Sequence, residues 1–276
     1  VTASAVLTDK DLSEYADGVT YIKVDNCRKR MAEVAKKFFS NPLTDIELVG
    51  VTGTNGKTTT AYLLYYILKE YSGDAALFGT IKNVIGKEKV DAKRTTAESL
   101  DLYRYFSKMR EKNIKYGVME VSSHALDLHR VEGMEFAAAV FTNLSPEHLD
   151  YHKNLENYRR AKSKLFSGLD KDKFAVINFD DSNAEFMAQR SKAKNYFYSL
   201  NSTEADLYTD DYKLRKSGME YNTKGEINSK FNLNLGGIFN IYNSLAAILT
   251  ASLLGVETKT IKKVLNELKG VPGRFE

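Results

Sequence analysis

The densest chemistry in this chain lies in one run, Gly50-Val51-Thr52-Gly53-Thr54-Asn55-Gly56-Lys57-Thr58-Thr59-Thr60. An apolar stretch, Ile46–Thr52, leads into a turn containing Gly53 and Gly56. An apolar-periodic helix is expected from about Lys57 to Tyr71. In that order, backbone N–H groups of the turn and of the helix N-terminus can cradle phosphate oxygens. The Lys57 ammonium would reach the β- and γ-phosphates, and the Thr58 hydroxyl would bind Mg²⁺. The general P-loop has four residues between its first glycine and its Gly-Lys pair. Here five residues separate Gly50 from Gly56, with Gly53 nearer, so this is a variant loop. The plainer alternative, a glycine-rich turn with a solvated lysine, does not explain why strand, glycines, Lys-Thr and helix come in the required order.

Two other side chains suit a metal. Glu120 closes the apolar run Val118-Met119-Glu120-Val121, and His148 follows a second apolar run in Phe141-Thr142-Asn143-Leu144-Ser145-Pro146-Glu147-His148. Both would stand at strand ends on one sheet edge, where open α/β sheets bind ligands. Taken singly, Glu120 reads equally as a solvated or capping carboxylate and His148 as a satisfied histidine. His124, His129 and His152 keep that plain reading.

The elements needed to position these groups are legible in part. Strands are expected at Val19–Val24, Ile46–Thr52, Ala75–Phe78, Tyr116–Val121, Phe136–Thr142 and Phe174–Asn178. Helices are expected at Arg28–Phe39, Ser99–Lys112, Tyr158–Phe166, Ser182–Ser191, Phe239–Leu254 and Lys259–Leu268. Strands alternating with helices argue for βαβ units around a mainly parallel sheet. Between Asp206 and Leu235 the short alternating runs read instead as an antiparallel β patch. The expected fold is therefore α/β, a P-loop-type, mainly parallel sheet flanked by helices, with a small antiparallel patch.

With 276 residues and 43% hydrophobic content, the chain can bury a substantial core. The net charge of +4 is modest and the basic residues are scattered, so neither a nucleic-acid groove nor binding to an acidic membrane surface is expected. One cysteine, Cys27, excludes an intrachain disulfide framework and points to a reducing, cytoplasmic setting. No apolar run approaches the ~20 residues that span a bilayer. The opening VTASAVLTDK lacks a signal-peptide pattern and an initiator Met, which suggests a processed or excised piece.

Seven segments, GVTGTNGKTTT, RTTAES, MEVSSHALDLHRV, FTNLSPEHLDYH, YRRAKSKLF, GIFNIYNSLAA and GVPGRFE, occur from residue 50 to the last residue. Together, and in this order, they resemble the Mur ligase family, in particular its branch that adds the third amino acid to UDP-N-acetylmuramoyl-L-alanyl-D-glutamate. That resemblance implies an ATP-dependent amide ligase of peptidoglycan precursor synthesis, working through an acyl phosphate. It implies that Thr54, Asn55, Gly56, Lys57, Thr58, Thr59 and Thr60 hold the phosphates. Thr58 and Glu120 would share one Mg²⁺ and His148 a second. Lys162 matches a lysine that family members carbamylate with CO₂, which turns a cation into an anion beside the metals. Lys57, His148 and Lys162 are thus the expected catalytic set, and Lys164 reads as a solvated neighbour. Thr95, Thr96, Ser122 and Arg130 match positions that bind the muramyl peptide. Asn240, Asn243 and Arg274 match the nucleotide side, with helix capping the alternative for the two asparagines.

Arg94 and Leu128 stand where some members carry amide side chains, so substrate contacts there differ. Residues 1–45 are expected to be the tail of a UDP-substrate domain, 46–270 the central ATP-binding domain, and 271–276 the start of a linker. On that expectation the chain alone does not complete a catalytic cycle, and its sequence names neither the incoming amino acid nor an oligomeric state. Folate polyglutamylating ligases share the loop, but TTAES, SSHALDLHR and PEHLDYH point to the muramyl branch. An amidotransferase subunit would carry a cysteine-rich zinc insertion. A nucleotide-responsive binding module, or a simple kinase or NTPase, leaves the Lys162 segment unexplained.

Overall fold

The computed structural model describes residues 3–215 and 218–273. The chain opens with a two-stranded parallel sheet, β1 (Ala5–Thr8) beside β2 (Thr20–Lys23). Helix α1 (Cys27–Phe38) follows, its first turn capped by Asn26, which accepts the Lys29 amide at 3.1 Å. A 3-10 turn at Pro42–Asp45 leads into β3 (Glu47–Thr52), α2 (Lys57–Ser72) and β4 (Ala76–Phe78). Next come the hairpin β5 (Lys82–Ile85) and β6 (Glu88–Asp91), α3 (Ser99–Glu111), β7 (Tyr116–Glu120) and α4 (Ser123–Asp127). Then follow β8 (Ala138–Phe141), α5 (Leu149–His152), α6 (Leu155–Ser167), β9 (Phe174–Asn178) and α7 (Ala184–Arg190). The last part holds β10 (Lys194–Ser199), β11 (Leu207–Arg215), β12 (Gly218–Gly225), β13 (Ser229–Leu233), α8 (Phe239–Leu253) and α9 (Thr258–Glu267).

Among the described residues, β3 to β13 form one sheet in the order β13-β12-β11-β10-β9-β8-β3-β7-β4-β5-β6. The seven strands from β11 to β4 in that order run parallel; β5–β6 at one end and β12–β13 at the other are antiparallel. The expected α/β class therefore holds, with antiparallel structure at both ends. The hairpin β5–β6 and strand β10 were not legible. Four residues are too few for alternation to register, and KNYFYS has no clean period.

Side-chain alternation along the parallel strands feeds two cores. Val49, Val51, Val118, Val140 and Val176 pack on one face against α2, α8 and α9 through Leu63, Leu64, Leu245, Ile248 and Ile261. Leu48, Met119, Ala139, Phe141 and Ile177 pack on the other face with Leu102 and Phe106 of α3 and Leu165 and Phe166 of α6. Burying each such aliphatic or aromatic side chain contributes roughly 1.5–3 kcal/mol. Ala35 and Leu43 join this second core, so residues before 46 pack on the same body.

Helix α2 is buried over most of its circumference, between the sheet and α8 and α9. That packing fixes where its N-terminus points. Because β4, β7, β3, β8 and β9 are parallel, their carboxyl ends lie along one edge. The segments leaving them carry Thr80, Glu120, the glycine-rich loop, Asn143 and Asn178.

Candidate functional site

A cleft of about 780 Å³ opens at that edge, and residues 54–59 form part of its wall. Gly56 is the N-cap of α2 with φ +87°, a conformation that favours glycine. A Cβ there would also lie 2.3 Å from Asn243 Oδ1. The first helical bond runs from the Thr60 amide to Gly56 O, 2.9 Å. The amides of Lys57, Thr58 and Thr59 stand in the first turn of the helix, where the helix dipole favours an anion.

The loop is fastened to the segment after β8. The Thr54 amide donates to Asn143 O at 2.8 Å, and the Asn55 amide to Asn143 Oδ1 at 2.9 Å. The Thr54 hydroxyl accepts the Ser145 amide at 3.0 Å and touches the Tyr158 hydroxyl at 3.2 Å. Thr54 and Asn55 thus line the cleft while spending these groups on holding the loop. Lys57 folds over the loop, donating to Gly53 O at 3.0 Å and Thr54 O at 2.7 Å. Thr60 is fully buried behind the cleft, 3.4 Å from Asn243 Oδ1.

Glu120, fully buried at the end of β7, faces this loop. The Thr58 hydroxyl donates to its Oε2 at 2.8 Å, while the Thr80 amide donates to Oε1 at 2.9 Å and the Thr80 hydroxyl to Oε2 at 3.1 Å. His148, left-handed at φ +55°, lines the opposite wall with its ring 3.7 Å from the Glu147 carboxylate. Among the described residues, no three His, Cys, Asp or Glu side chains converge to enclose a cation. The donor set still fits Mg²⁺, which is usually held by one or two carboxylates, a hydroxyl, waters and substrate phosphates.

Lys162 on α6 is 1% exposed. Its Nζ donates to Gly53 O at 2.7 Å and lies 4.4 Å from the centre of the Tyr158 ring. Burial, and then the nearby Lys57 charge, hold its pKa well below the ordinary lysine value. Burial also pushes the Tyr158 phenol up to about 12. Lys164, two residues on, pairs with Asp127 at 2.9 Å on the surface.

Thr95, Thr96, Ser122 and Arg130 are brought together beside the cleft, with Thr95 on its wall. Thr96 is a latch: its hydroxyl donates to Glu120 O at 2.8 Å and accepts the Ser122 amide at 3.1 Å. Ser122 caps α4 by accepting the Ala125 amide at 3.2 Å. The Arg130 guanidinium donates to Thr96 O at 3.1 Å and pairs with Glu98 at 3.1 Å, and Arg28 and Arg94 meet the same carboxylate. Three cations around one anion leave a positive excess beside the cleft.

On the other wall, Asn240 donates to Gly236 O at 2.8 Å and Asn243 to Asn240 Oδ1 at 3.0 Å. The two asparagines tie the start of α8 to the loop helix; the α8 cap position is Ile238. Arg274 lies outside the described residues. The cleft also uses Thr80, Thr142, Asn143, Glu147, Asn178, Phe239 and Tyr242, which the sequence reading did not assign. Thr80 and Asn178 could have been found from their places just beyond or at the ends of expected strands. His152 is buried with its Nε2 2.9 Å from Ser123 Oγ, and His129 meets Glu132 at 2.9 Å, both structural contacts.

A phosphate loop at the head of a buried helix, with a buried carboxylate bonded to its threonine, defines a nucleotide-binding α/β domain. The profile of the Mur ligase middle domain matches residues 51–251, and the chain belongs to that family. A UDP-N-acetylmuramoyl-L-alanyl-D-glutamate--2,6-diaminopimelate ligase of Caldanaerobacter subterraneus subsp. tengcongensis is 43% identical over 99% of this chain and 56% of its own length. The enzyme of the same name from Oceanobacillus iheyensis is 42% identical over 99% of this chain and 57% of its own. A solved structure bearing that enzyme name superposes with TM-score 0.87 at 30% identity, covering 98% of this chain and 55% of that one. The chain thus spans about half the length of the relatives it matches.

Proposed function

We propose that this chain is the ATP-binding portion of a ligase that adds the third amino acid to UDP-N-acetylmuramoyl-L-alanyl-D-glutamate. The names of its relatives point to 2,6-diaminopimelate as that amino acid. The observation that carries the reading is the bond from the loop hydroxyl of Thr58 to the fully buried Glu120 carboxylate. A buried carboxylate beside a phosphate loop is costly unless a cation or strong donors offset it. Residues 46–270 would be the ATP-binding domain, 1–45 the tail of a domain for the UDP substrate, and 271–276 a linker. The reading carries a cytoplasmic location with it and no nucleic-acid or membrane partner.

Magnesium, when bound, neutralises charge on the transferring phosphoryl group. Thr58 and Glu120 would hold one such ion and His148 a second, with modified Lys162 beside them, while the amides of residues 57–59 and the Lys57 ammonium would bind the phosphates. Asn240, Asn243 and Arg274 would face the nucleoside. Thr95, Thr96, Ser122 and Arg130 would orient the muramyl peptide, the positive excess around Glu98 suiting its anionic groups. A substrate carboxylate oxygen attacks the γ-phosphorus as the bond to ADP breaks, giving an acyl phosphate. The incoming amine attacks the acyl carbon, phosphate leaves, and an amide remains.

A depressed pKa supplies Lys162 with the neutral amine that adds to CO₂, giving a carbamate and a released proton. The carbamate nitrogen keeps one N–H, so the bond to Gly53 O survives the modification. ¹³C-bicarbonate labelling should give a carbamate resonance that Lys162→Ala removes.

The direct test is ADP release from Mg·ATP with the UDP-muramyl dipeptide and a panel of amino acids. It would be run on this chain and on a full-length family member carrying it. Diaminopimelate-dependent release that Lys162→Ala abolishes is expected of the longer protein. Nucleotide binding with no substrate-dependent turnover in it would replace the ligase with a binding module.

A further inference from the structure

We propose that Thr80 is a positioning residue that grips both oxygens of Glu120 and links that carboxylate to Thr95 on the substrate side of the cleft. The inference rests on the reading of Glu120 as the metal-side carboxylate. Thr80 leaves the end of β4 and presents two donors at once, its amide to Oε1 at 2.9 Å and its hydroxyl to Oε2 at 3.1 Å. Bonds to an ionised acceptor are roughly twice as strong as neutral ones. The grip requires the backbone to press against the carboxylate. A Cβ on the preceding residue, Gly79, would lie 2.2 Å from Glu120 Oε1, so any larger residue there would displace the carboxylate from this position.

The third donor, the Thr58 hydroxyl, is the one that changes when a cation arrives. A cation held by Thr58 and Glu120 would take a lone pair of the hydroxyl and compete for Oε2. Thr80 then remains to fix the carboxylate. Its hydroxyl has a single proton and two lone pairs. That one proton is aimed both at Oε2 and at the Thr95 hydroxyl oxygen, 3.1 Å away, so the Thr80 hydroxyl is shared between them. A side-chain path Thr95–Thr80–Glu120–Thr58 thus joins the substrate wall to the phosphate loop.

The test compares Thr80→Val, which keeps the amide and loses the hydroxyl, with Thr80→Ser, which keeps both. Binding of a fluorescent, non-hydrolysable ATP analogue to this chain is titrated with Mg²⁺, and melting temperature is recorded alongside. Thr80→Val should raise the half-saturating Mg²⁺ about tenfold, the size expected for one lost bond to a charged group. Melting should fall by at most a few degrees, since one donor to a buried carboxylate is lost, and Thr80→Ser should restore both the Mg²⁺ response and the melting temperature. An unchanged response in Thr80→Val, with Glu120→Gln losing it, would overturn the role of Thr80 and leave the metal-side reading intact. No Mg²⁺ response in the unaltered chain, and none altered by Glu120→Gln, would remove that reading itself. If Thr80→Val melts low, Thr80→Ala and Thr80→Ser are compared at a temperature where both are folded. Equal half-saturation in that pair also overturns the proposal, and a higher value in Thr80→Ala supports it.

Discussion

The floor of the cleft and the antiparallel edge formed by β11, β12 and β13 are built from similar side chains and use them in opposite ways. On the edge, Lys224 meets Asp210 at 2.8 Å, Lys230 meets Glu220 at 2.7 Å, and Arg215 joins the same carboxylate. Water and salt compete for those lysines and arginines, so the pairs contribute little. On the floor, Glu120 is held by hydroxyls and an amide, and Lys162 by a carbonyl oxygen and a ring. Neither is solvated, so each is poised to gain from an incoming group. Lys162 and Lys164, two residues apart on α6, make the same contrast within one helix. Residue type is common to both regions; near-complete burial of the charged groups is confined to one.

The sharpest way to break this comparison is Glu120→Gln. On the proposed function, in a full-length family member carrying this chain it should lower turnover by about a hundredfold or more, the scale on which one charge-stabilising group acts. Turnover within a few-fold of the unaltered enzyme would put the floor on the same footing as the edge.

A smaller effect is expected on stability. The Lys162 pKa is depressed, so between it and the unfolded value of 10.5 the folded chain binds fewer protons than the unfolded chain. Stability should therefore rise as pH rises through that window, with the full penalty present below it. Denaturant titrations in CO₂-free buffer should show a gain of up to ~1.4 kcal/mol per pH unit there. Lys162→Met should flatten that slope, and an identical slope in the variant would contradict the assignment. Smallest of all is Lys224→Ala on the edge, expected to leave melting temperature and nucleotide binding unchanged. A clear loss in either would show that edge charges matter more than their exposure suggests.

Much of the site was legible because its signals are local. The glycine-rich loop needs only a strand, two glycines and a helix start in order, and the strand at Phe174–Asn178 matches residue for residue. Glu120 was legible as a strand-end acid, and the segment around Lys162 through its resemblance. Thr80 was not assigned, although its place just beyond the expected strand Ala75–Phe78 was a signal; its bonds to Glu120 depend on the tertiary fold. The contacts of the Thr96 hydroxyl with Glu120 O and the Ser122 amide were likewise not legible.

The sequence by itself showed the strand–helix alternation of most central elements, their two-sided hydrophobic patterning and the glycine, lysine and threonine order of the phosphate loop. These depend on periodicity and on residues a few positions apart. Only the tertiary structure decided which polar groups are buried and what they face. Thr58 and Glu120 are 62 residues apart, Thr80 and Glu120 are 40, and Lys162 and Gly53 are 109. Parallel strands bring their carboxyl ends to one edge, and the loss of water around Lys162, which no local pattern encodes, holds its pKa well below the ordinary lysine value.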